Sequence, residues 1–173
     1  GSFSAHIPGV PSVSAEIAAS FTPGANYTLG SIDLALWNLK KSEPLLTVNL
    51  LSGTTVPATL IDSTEISVTS SGGSGLLSVE FLSTISLSAG TTYWIILTPS
   101  DLMNSEMIWD WSSDTTKFGG VAASLGGGAW APVSASNPAG AVFINGGTGT
   151  YFYESEPKTP SFAVYGTPET VTV

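Results

Sequence analysis

The side chains best suited to chemistry in this sequence lie between residues 101 and 114, where carboxylates stand among tryptophans. Glu106, Asp110 and Asp114 follow one another at four-residue spacing. A glycoside hydrolase needs two carboxyl groups roughly 5 to 9.5 Å apart across the scissile bond. Glu106 and Asp110 on one strand face would lie roughly 13 Å apart, which is too far. A catalytic pair between Asp110 and a carboxylate from another strand stays open. The alternative is that these acids are solvated carboxylates on strands or loops.

The same segment contains hard oxygen ligands of the kind that calcium prefers. Asp101, Asn104 and Glu106 lie close together in the sequence. The twelve-residue pattern of an EF-hand is absent, and a polar turn, in which Asp101 and Asn104 bond their own backbone, is the alternative. Calcium is therefore the one cofactor that the sequence suggests; otherwise we expect none.

Trp109 and Trp111 have the spacing of a sugar-stacking pair. Residues i and i+2 of a strand point to the same face about 6 to 7 Å apart, and an indole offers a flat apolar ring with a donor at one edge. Exposed, the pair would stack on sugar rings; buried, it would pack between sheets. Trp130, isolated among small residues, is the third candidate for ligand binding.

His6 is the only histidine of the chain. A catalytic or metal triad needs a positioned imidazole with partners, and the nearest acid in the sequence is Glu16. We interpret His6 as a solvated residue near the terminus. The sequence thus predicts no catalytic residue and no enzyme.

The charge balance excludes several classes of partner. Thirteen acidic residues stand against four lysines, with no arginine, for a net charge of −9. Nucleic acid and anionic membrane surfaces both require clustered basic residues. No apolar run approaches the roughly 18 residues of a transmembrane helix, and the absence of cysteine excludes disulfides and thiolate metal sites. We expect a soluble monomer.

The elements that position these side chains are predicted to be strands, because the apolar stretches are short, rich in β-branched and aromatic residues, and end at Gly, Ser, Asn or Pro. Residues 31–36 alternate as a half-buried strand does. Residues 92–97 are apolar on both faces, which predicts a central strand covered by the opposing sheet and by loops. Further strands are predicted at residues 16–22, 45–51, 58–62, 91–98, 106–112, 141–145, 151–153 and 161–165.

One pair of strands has a local turn signal. Ile66 and Val68 precede a Ser/Gly-rich stretch at residues 70–75, and Leu77 and Val79 follow it. This pattern predicts a hairpin with a flexible loop.

A single all-β domain spanning residues 1–173 accounts for this organisation. The length suits one core, and ten or more short strands predict a two-sheet antiparallel β-sandwich, jelly-roll-like in kind. Residues 1–14 are assigned to an N-terminal segment. Residues 117–140 are assigned to a long Gly-rich loop. Loops of this length in a compact domain are usually either functional or mobile.

Three segments together resemble the bacterial exported choice-of-anchor R family, many of whose members carry a PEP-CTERM sorting tail. The first is Ala19-Ser20-Phe21-Thr22 with Tyr27-Thr28-Leu29-Gly30-Ser31-Ile32; the second is residues 87–97; the third is Phe162-Ala163-Val164-Tyr165-Gly166-Thr167-Pro168. The resemblance spans nearly the whole chain and brings no catalytic residues. It implies export and surface attachment, with the signal peptide and the sorting tail outside this sequence.

The function expected from these observations is that of a non-catalytic, secreted or cell-surface module. Its partners would be polysaccharide or components of the envelope or matrix, and its role adhesion or recognition. A purely structural spacer domain of a longer surface protein is the first alternative. A carboxylate-dependent jelly-roll glycoside hydrolase is the second.

Overall fold

A computed structural model describes the protein at residues 3–5, 13–38, 45–68, 74–99, 107–109, 111–112, 120–125, 129, 131–133, 159–160 and 162–169. In these ranges the chain forms strands and no helix, so no helix long and apolar enough to cross a membrane occurs among them. The strands are β1 (Phe3–Ala5), β2 (Val13–Phe21), β3 (Tyr27–Asn38), β4 (Leu45–Ser52), β5 (Thr59–Ser67), β6 (Ser74–Val79), β7 (Ser86–Leu87), β8 (Tyr93–Pro99), β9 (Met107–Trp109), β10 (Trp111–Ser112), β11 (Gly120–Leu125), β12 (Ala131–Val133), β13 (Thr159–Pro160) and β14 (Phe162–Pro168).

Two antiparallel sheets make up the sandwich. The seven-stranded sheet has the order β12-β11-β2-β8-β4-β5, with β1 paired to β2. The five-stranded sheet has the order β14-β3-β6, with β7 and β9 also paired to β3. A separate two-stranded ribbon joins β10 to β13. The all-β, two-sheet antiparallel sandwich predicted from the sequence is confirmed.

The core lies between the two sheets and follows from the alternation of side chains along each strand. In β3, Ile32, Leu34 and Leu36 are buried, while the intervening residues are partly exposed. β4 repeats this pattern from the other sheet with Leu46, Val48 and Leu50. Because side chains alternate with a period of two, each strand supplies every second residue to the core. The other members of the core cluster are Ala19, Leu29, Val68, Val79, Ile85, Leu87, Tyr93, Ile95 and Leu97.

β8 is buried on both faces, as the sequence predicted for residues 92–97. It pairs with β2 on one side and β4 on the other, which makes it central in its sheet. Ile95 and Leu97 face the main core, whereas Trp94 and Ile96 form a second cluster on the outer face with Ala18. Leu51 and Val56 pack against this second cluster. The loop of residues 53–58, here called the roof loop, therefore contributes to covering the outer face at this point.

The predicted hairpin around residues 70–75 is wrong. β5 pairs with β4 in the seven-stranded sheet, and β6 pairs with β3 in the five-stranded sheet. Ile66 and Leu77 both pack against the same core from opposite sheets. An apolar strand face is buried equally well by either arrangement, so the local pattern did not distinguish a hairpin from a crossing between sheets.

The assignment of residues 117–140 to an irregular loop is also corrected, because this stretch contains strands β11 and β12. β11 pairs with β2 over six residues and with β12 on its other side. Its sequence, Gly-Val-Ala-Ala-Ser-Leu, has small side chains and weak alternation. Its strand character comes from pairing with β2 and not from local preference, which is why the sequence alone did not reveal it. The segment at residues 1–14 likewise contains strand β1.

At one end of the sandwich, hydrogen bonds connect three segments of the chain. The amide of Gly90, a residue with positive φ (75°), donates to the Pro23 carbonyl at 2.9 Å. Asn26 accepts from two segments, since its Oδ1 receives the Ala89 amide at 2.8 Å and its carbonyl receives the Glu169 amide at 3.0 Å. These bonds tie the β2–β3, β7–β8 and C-terminal segments together at the end where β3 begins.

Candidate functional site

Several of the predicted site residues lie outside the residues that the structure describes. These are the calcium candidates Asp101, Asn104 and Glu106, the loop tryptophan Trp130, and the possible acid Asp110. The predicted strands at residues 141–145 and 151–153 also lie outside them. Calcium binding and a role for Trp130 therefore stay predictions.

Trp109 and Trp111 belong to two different strands. Trp109 ends β9, opposite Leu36 of β3, whereas Trp111 begins β10, opposite Pro160 of β13. The single strand predicted at residues 106–112 is thus two short strands with separate partners. Opposite residues of an antiparallel pair share a sheet face, so the register position of Trp109 lies on the face that carries buried Leu36. Ligand binding by this pair stays a prediction.

Trp94 has a structural role. Its side chain is 2% exposed, and its indole N–H donates to the Gly53 carbonyl at 2.8 Å. Burial and this hydrogen bond leave no ring face for a ligand. This part of the seven-stranded sheet's outer face is accordingly occupied by a second apolar cluster and the roof loop.

The five-stranded sheet instead presents an accessible outer face, here called the open face. The register places Tyr165 opposite Ser31, Asp33 between Ala163 and Ser78, and Leu76 opposite Ala35. Residues opposite one another lie on one face, and these positions alternate with the buried positions of β3, β6 and β14. The open face consists of Ser31, Asp33, Ala35, Leu76, Ser78, Ala163 and Tyr165.

Tyr165 is the exposed aromatic of this face among the side chains that the structure describes. It is 54% exposed, and Leu76 at the far side of the face is 77% exposed. Ser31 lies directly across from Tyr165, and Asp33 lies at the diagonal position, where residues are typically about 7 to 8 Å apart. A ring, a hydroxyl and a carboxylate thus lie within the span of a sugar ring or two.

A β-bulge sets the position of Tyr165. The pairing of β14 with β3 shifts between Tyr165 and Gly166, so that Tyr165 lies opposite Ser31 and Gly166 opposite Leu29. Gly30 is left between the two pairs. Bulges are frequent beside functional sites because they redirect a side chain without breaking the sheet.

Gly166 allows this bulge by its lack of a side chain. A Cβ atom at this position would lie 2.6 Å from the Thr28 carbonyl oxygen and 3.4 Å from the Tyr27 Cβ. The oxygen belongs to the backbone of a paired strand, so it moves only if the pairing changes. Glycine is therefore required where the bulge follows Tyr165.

The charge on and beside the open face is negative. Asp33 is partly exposed near the middle of the face, and Glu80 is exposed two residues beyond Ser78. Among the residues that the structure describes there is no lysine, arginine or histidine. The same part of the chain contains no group of three or more residues able to hold a metal ion through histidine, cysteine or carboxylate.

The sequence contains a signal for the outward position of Tyr165. Residues 161–165 were predicted as a strand, and β14 begins at Phe162; in it Phe162 and Val164 pack against the core. Alternation then directs Tyr165 outward. What the sequence did not show is that the outer face of this sheet is exposed.

Comparison of the chain with protein-family models, curated proteins and solved structures gave no significant match.

Proposed function

We propose that this chain is a non-catalytic extracellular or surface-anchored bacterial module that recognises polysaccharide, in adhesion or in a matrix. The observation that carries the proposal is the open face, where Tyr165 stands exposed beside a bulge that requires Gly166. Ordered sheet positions keep the ring and the polar groups at fixed spacing. Such preorganisation lowers the entropic cost of binding an extended ligand.

The chemistry of the face suits a carbohydrate. An aromatic ring packs against the apolar face of a sugar, and polar groups around it hydrogen-bond to the sugar hydroxyls. Ser31 and Ser78 offer hydroxyl groups, and Asp33 offers carboxylate oxygens. An open sheet surface of this kind suits a chain of several sugars better than a single small molecule.

A glycan-array screen of the wild-type protein tests the proposal, with Tyr165→Ala and Tyr165→Phe alongside. We expect wild type and Tyr165→Phe to bind a common set of polysaccharides. Loss of the ring in Tyr165→Ala should weaken binding roughly five- to tenfold, by analogy with the loss of an aromatic contact worth about 1 to 1.4 kcal/mol.

Leu82→Ala is the matched control, because Leu82 is a fully exposed large apolar residue that is not part of the open face. It should leave binding unchanged. No binding by wild type, with or without calcium, would overturn the proposal and favour a structural spacer domain. Binding that is unaffected by Tyr165→Ala but lost in Trp130→Ala would move the site to residue 130.

A further inference from the structure

We infer that the open face selects a cationic polysaccharide, that is, a polymer of amino sugars whose amines are free and protonated. This inference rests on the proposed function and specifies its substrate class. It comes from the charge and spacing of Asp33, Glu80 and Tyr165.

The charge of the described residues disfavours the opposite class of ligand. Asp33 and Glu80 place negative charge on and beside the face, and the described part of the chain contains no basic side chain to neutralise it. The whole chain has a net charge of −9. Polymers of uronic acids or sulfated sugars would be repelled by this field, whereas a polycation would be attracted and steered towards it.

Tyr165 and Asp33 together form a site for an ammonium group. The two residues are diagonal neighbours on paired strands, at a spacing that is typically about 7 to 8 Å. A cation within about 6 Å of an aromatic ring is attracted by the negative face of the ring. An amine held beside Tyr165 would also approach the Asp33 carboxylate, while the sugar ring packs against the tyrosine.

The surrounding hydroxyl groups favour a sugar over another kind of cation. Ser31 lies opposite Tyr165, and Ser78 lies opposite Asp33 on the other neighbouring strand. Both are able to donate to and accept from sugar hydroxyls. A flexible basic peptide would satisfy the carboxylates but would gain less from these neutral groups.

Calorimetric titration with four oligosaccharides of equal length separates the possibilities: a glucosamine oligomer, its N-acetylated form, a neutral glucose oligomer and an oligogalacturonate. We expect the glucosamine oligomer to bind tightest and the oligogalacturonate not to bind. Raising the salt concentration should weaken the glucosamine complex, because exposed ion pairs are screened. Asp33→Asn should weaken it about two- to fivefold, the range for an exposed ion pair.

Glu65→Gln is the matched control for charge, since Glu65 is exposed on β5 in the other sheet and its loss changes the net charge equally. It should weaken binding less than twofold. Thermal unfolding of each variant checks that the fold is kept. Poly-L-lysine is titrated as a non-sugar polycation. We expect Tyr165→Ala to weaken its binding less than that of the glucosamine oligomer, because poly-L-lysine has no sugar ring to pack against the tyrosine.

The outcomes separate this inference from the proposed function. Equal binding of the glucosamine oligomer and its N-acetylated form would overturn the inference and leave polysaccharide recognition standing. Binding to none of the four would overturn the inference, whereas the proposed function falls only if the glycan array is negative as well. Equal effects of Asp33→Asn and Glu65→Gln on binding would show attraction by net charge alone and would overturn selection at the face. The inference would also fail if Tyr165→Ala weakened the binding of poly-L-lysine as much as that of the glucosamine oligomer.

Discussion

Asp62 shows how a single carboxylate links the two sheets. It faces the interior side of the edge strand β5, opposite buried Leu50. Its carboxylate accepts hydrogen bonds from the Ser83 hydroxyl and from the Ser63 amide, the latter at 2.8 Å. Ser83 lies in the connection between β6 and β7, two strands of the five-stranded sheet, so the contact joins β5 of one sheet to a loop of the other. An inward-facing charge on an edge strand also discourages pairing with other chains.

These hydrogen bonds, chiefly that from Ser83, lower the pKa of Asp62 below its ordinary value of 3.8. A lowered folded-state pKa means that the contact stabilises the fold above about pH 4 and that this contribution is lost as the pH falls through the folded value. Unfolding of wild type in urea at pH 7 and at pH 3 should therefore show a larger loss of stability than unfolding of Asp62→Asn. Ser83→Ala should resemble Asp62→Asn, and Glu65→Gln should resemble wild type. Identical pH dependence in wild type and Asp62→Asn would contradict this role.

Gly166 and Gly75 allow a matched comparison of two glycines in paired strands. Alanine at position 166 would press against the Thr28 carbonyl, whereas a Cβ at position 75 has nothing within 4 Å. Gly166→Ala should destabilise the protein by about 1 to 3 kcal/mol, as overpacking does. Gly75→Ala should be neutral or slightly stabilising, because glycine weakens a strand interior. Chemical denaturation measures both, and equal effects would show that the bulge tolerates a side chain.

At the scale of elements, the roof loop and β8 depend on each other. The Gly53 amide donates to the Thr92 carbonyl at 3.2 Å, and the Gly53 carbonyl accepts the Trp94 indole at 2.8 Å. A Cβ on Gly53 would lie 2.0 Å from the Val56 carbonyl oxygen, so the tight path of the loop also requires glycine. The loop and the tryptophan thus form one packed unit on the outer face of the seven-stranded sheet.

Trp94→Phe tests this unit. The change removes the hydrogen bond to Gly53 and leaves space beside Leu51 and Val56, at a cost of about 1 to 3 kcal/mol. Urea denaturation followed by circular dichroism measures the loss. Tyr165→Phe is the control, because Tyr165 is an exposed aromatic on the other sheet, and should be close to neutral. If Trp94→Phe had the same free energy of unfolding as wild type, the roof loop would be held in place by other contacts.

At the scale of the whole molecule, the shared core predicts one cooperative unfolding transition. Leu34 and Leu50 are fully buried and belong to opposite sheets, yet both lie in one cluster. Leu34→Ala and Leu50→Ala should each cost about 2 to 5 kcal/mol, and each should shift a single transition. Calorimetry and circular dichroism should give the same midpoint, with Leu82→Ala as an exposed control. Two transitions, each sensitive to one variant, would contradict the single-domain prediction.

The sequence by itself determined the fold class and the strands with clear alternation. β3, β4 and β8 were predicted within a few residues, and the two apolar faces of β8 indicated its central place, because a period of two is a local property of the chain. The sequence did not reveal strand β11, nor that β5 and β6 belong to different sheets. Strands that pair can lie far apart along the chain, and the apolar residues of β5 and β6 are buried whether the two strands pair with each other or with strands of separate sheets.

Only the tertiary structure decided where the candidate site lies. The ligand candidates taken from the sequence were Trp109, Trp111 and Trp130, whereas the exposed aromatic among the side chains that the structure describes is Tyr165. The alternation of side chains along a strand predicts which residues point away from the core, but not whether another layer of the protein covers them. The roof loop helps to cover one outer face, and the other is open at Tyr165, because exposure depends on how loops pack across the finished sheets and not on any local pattern.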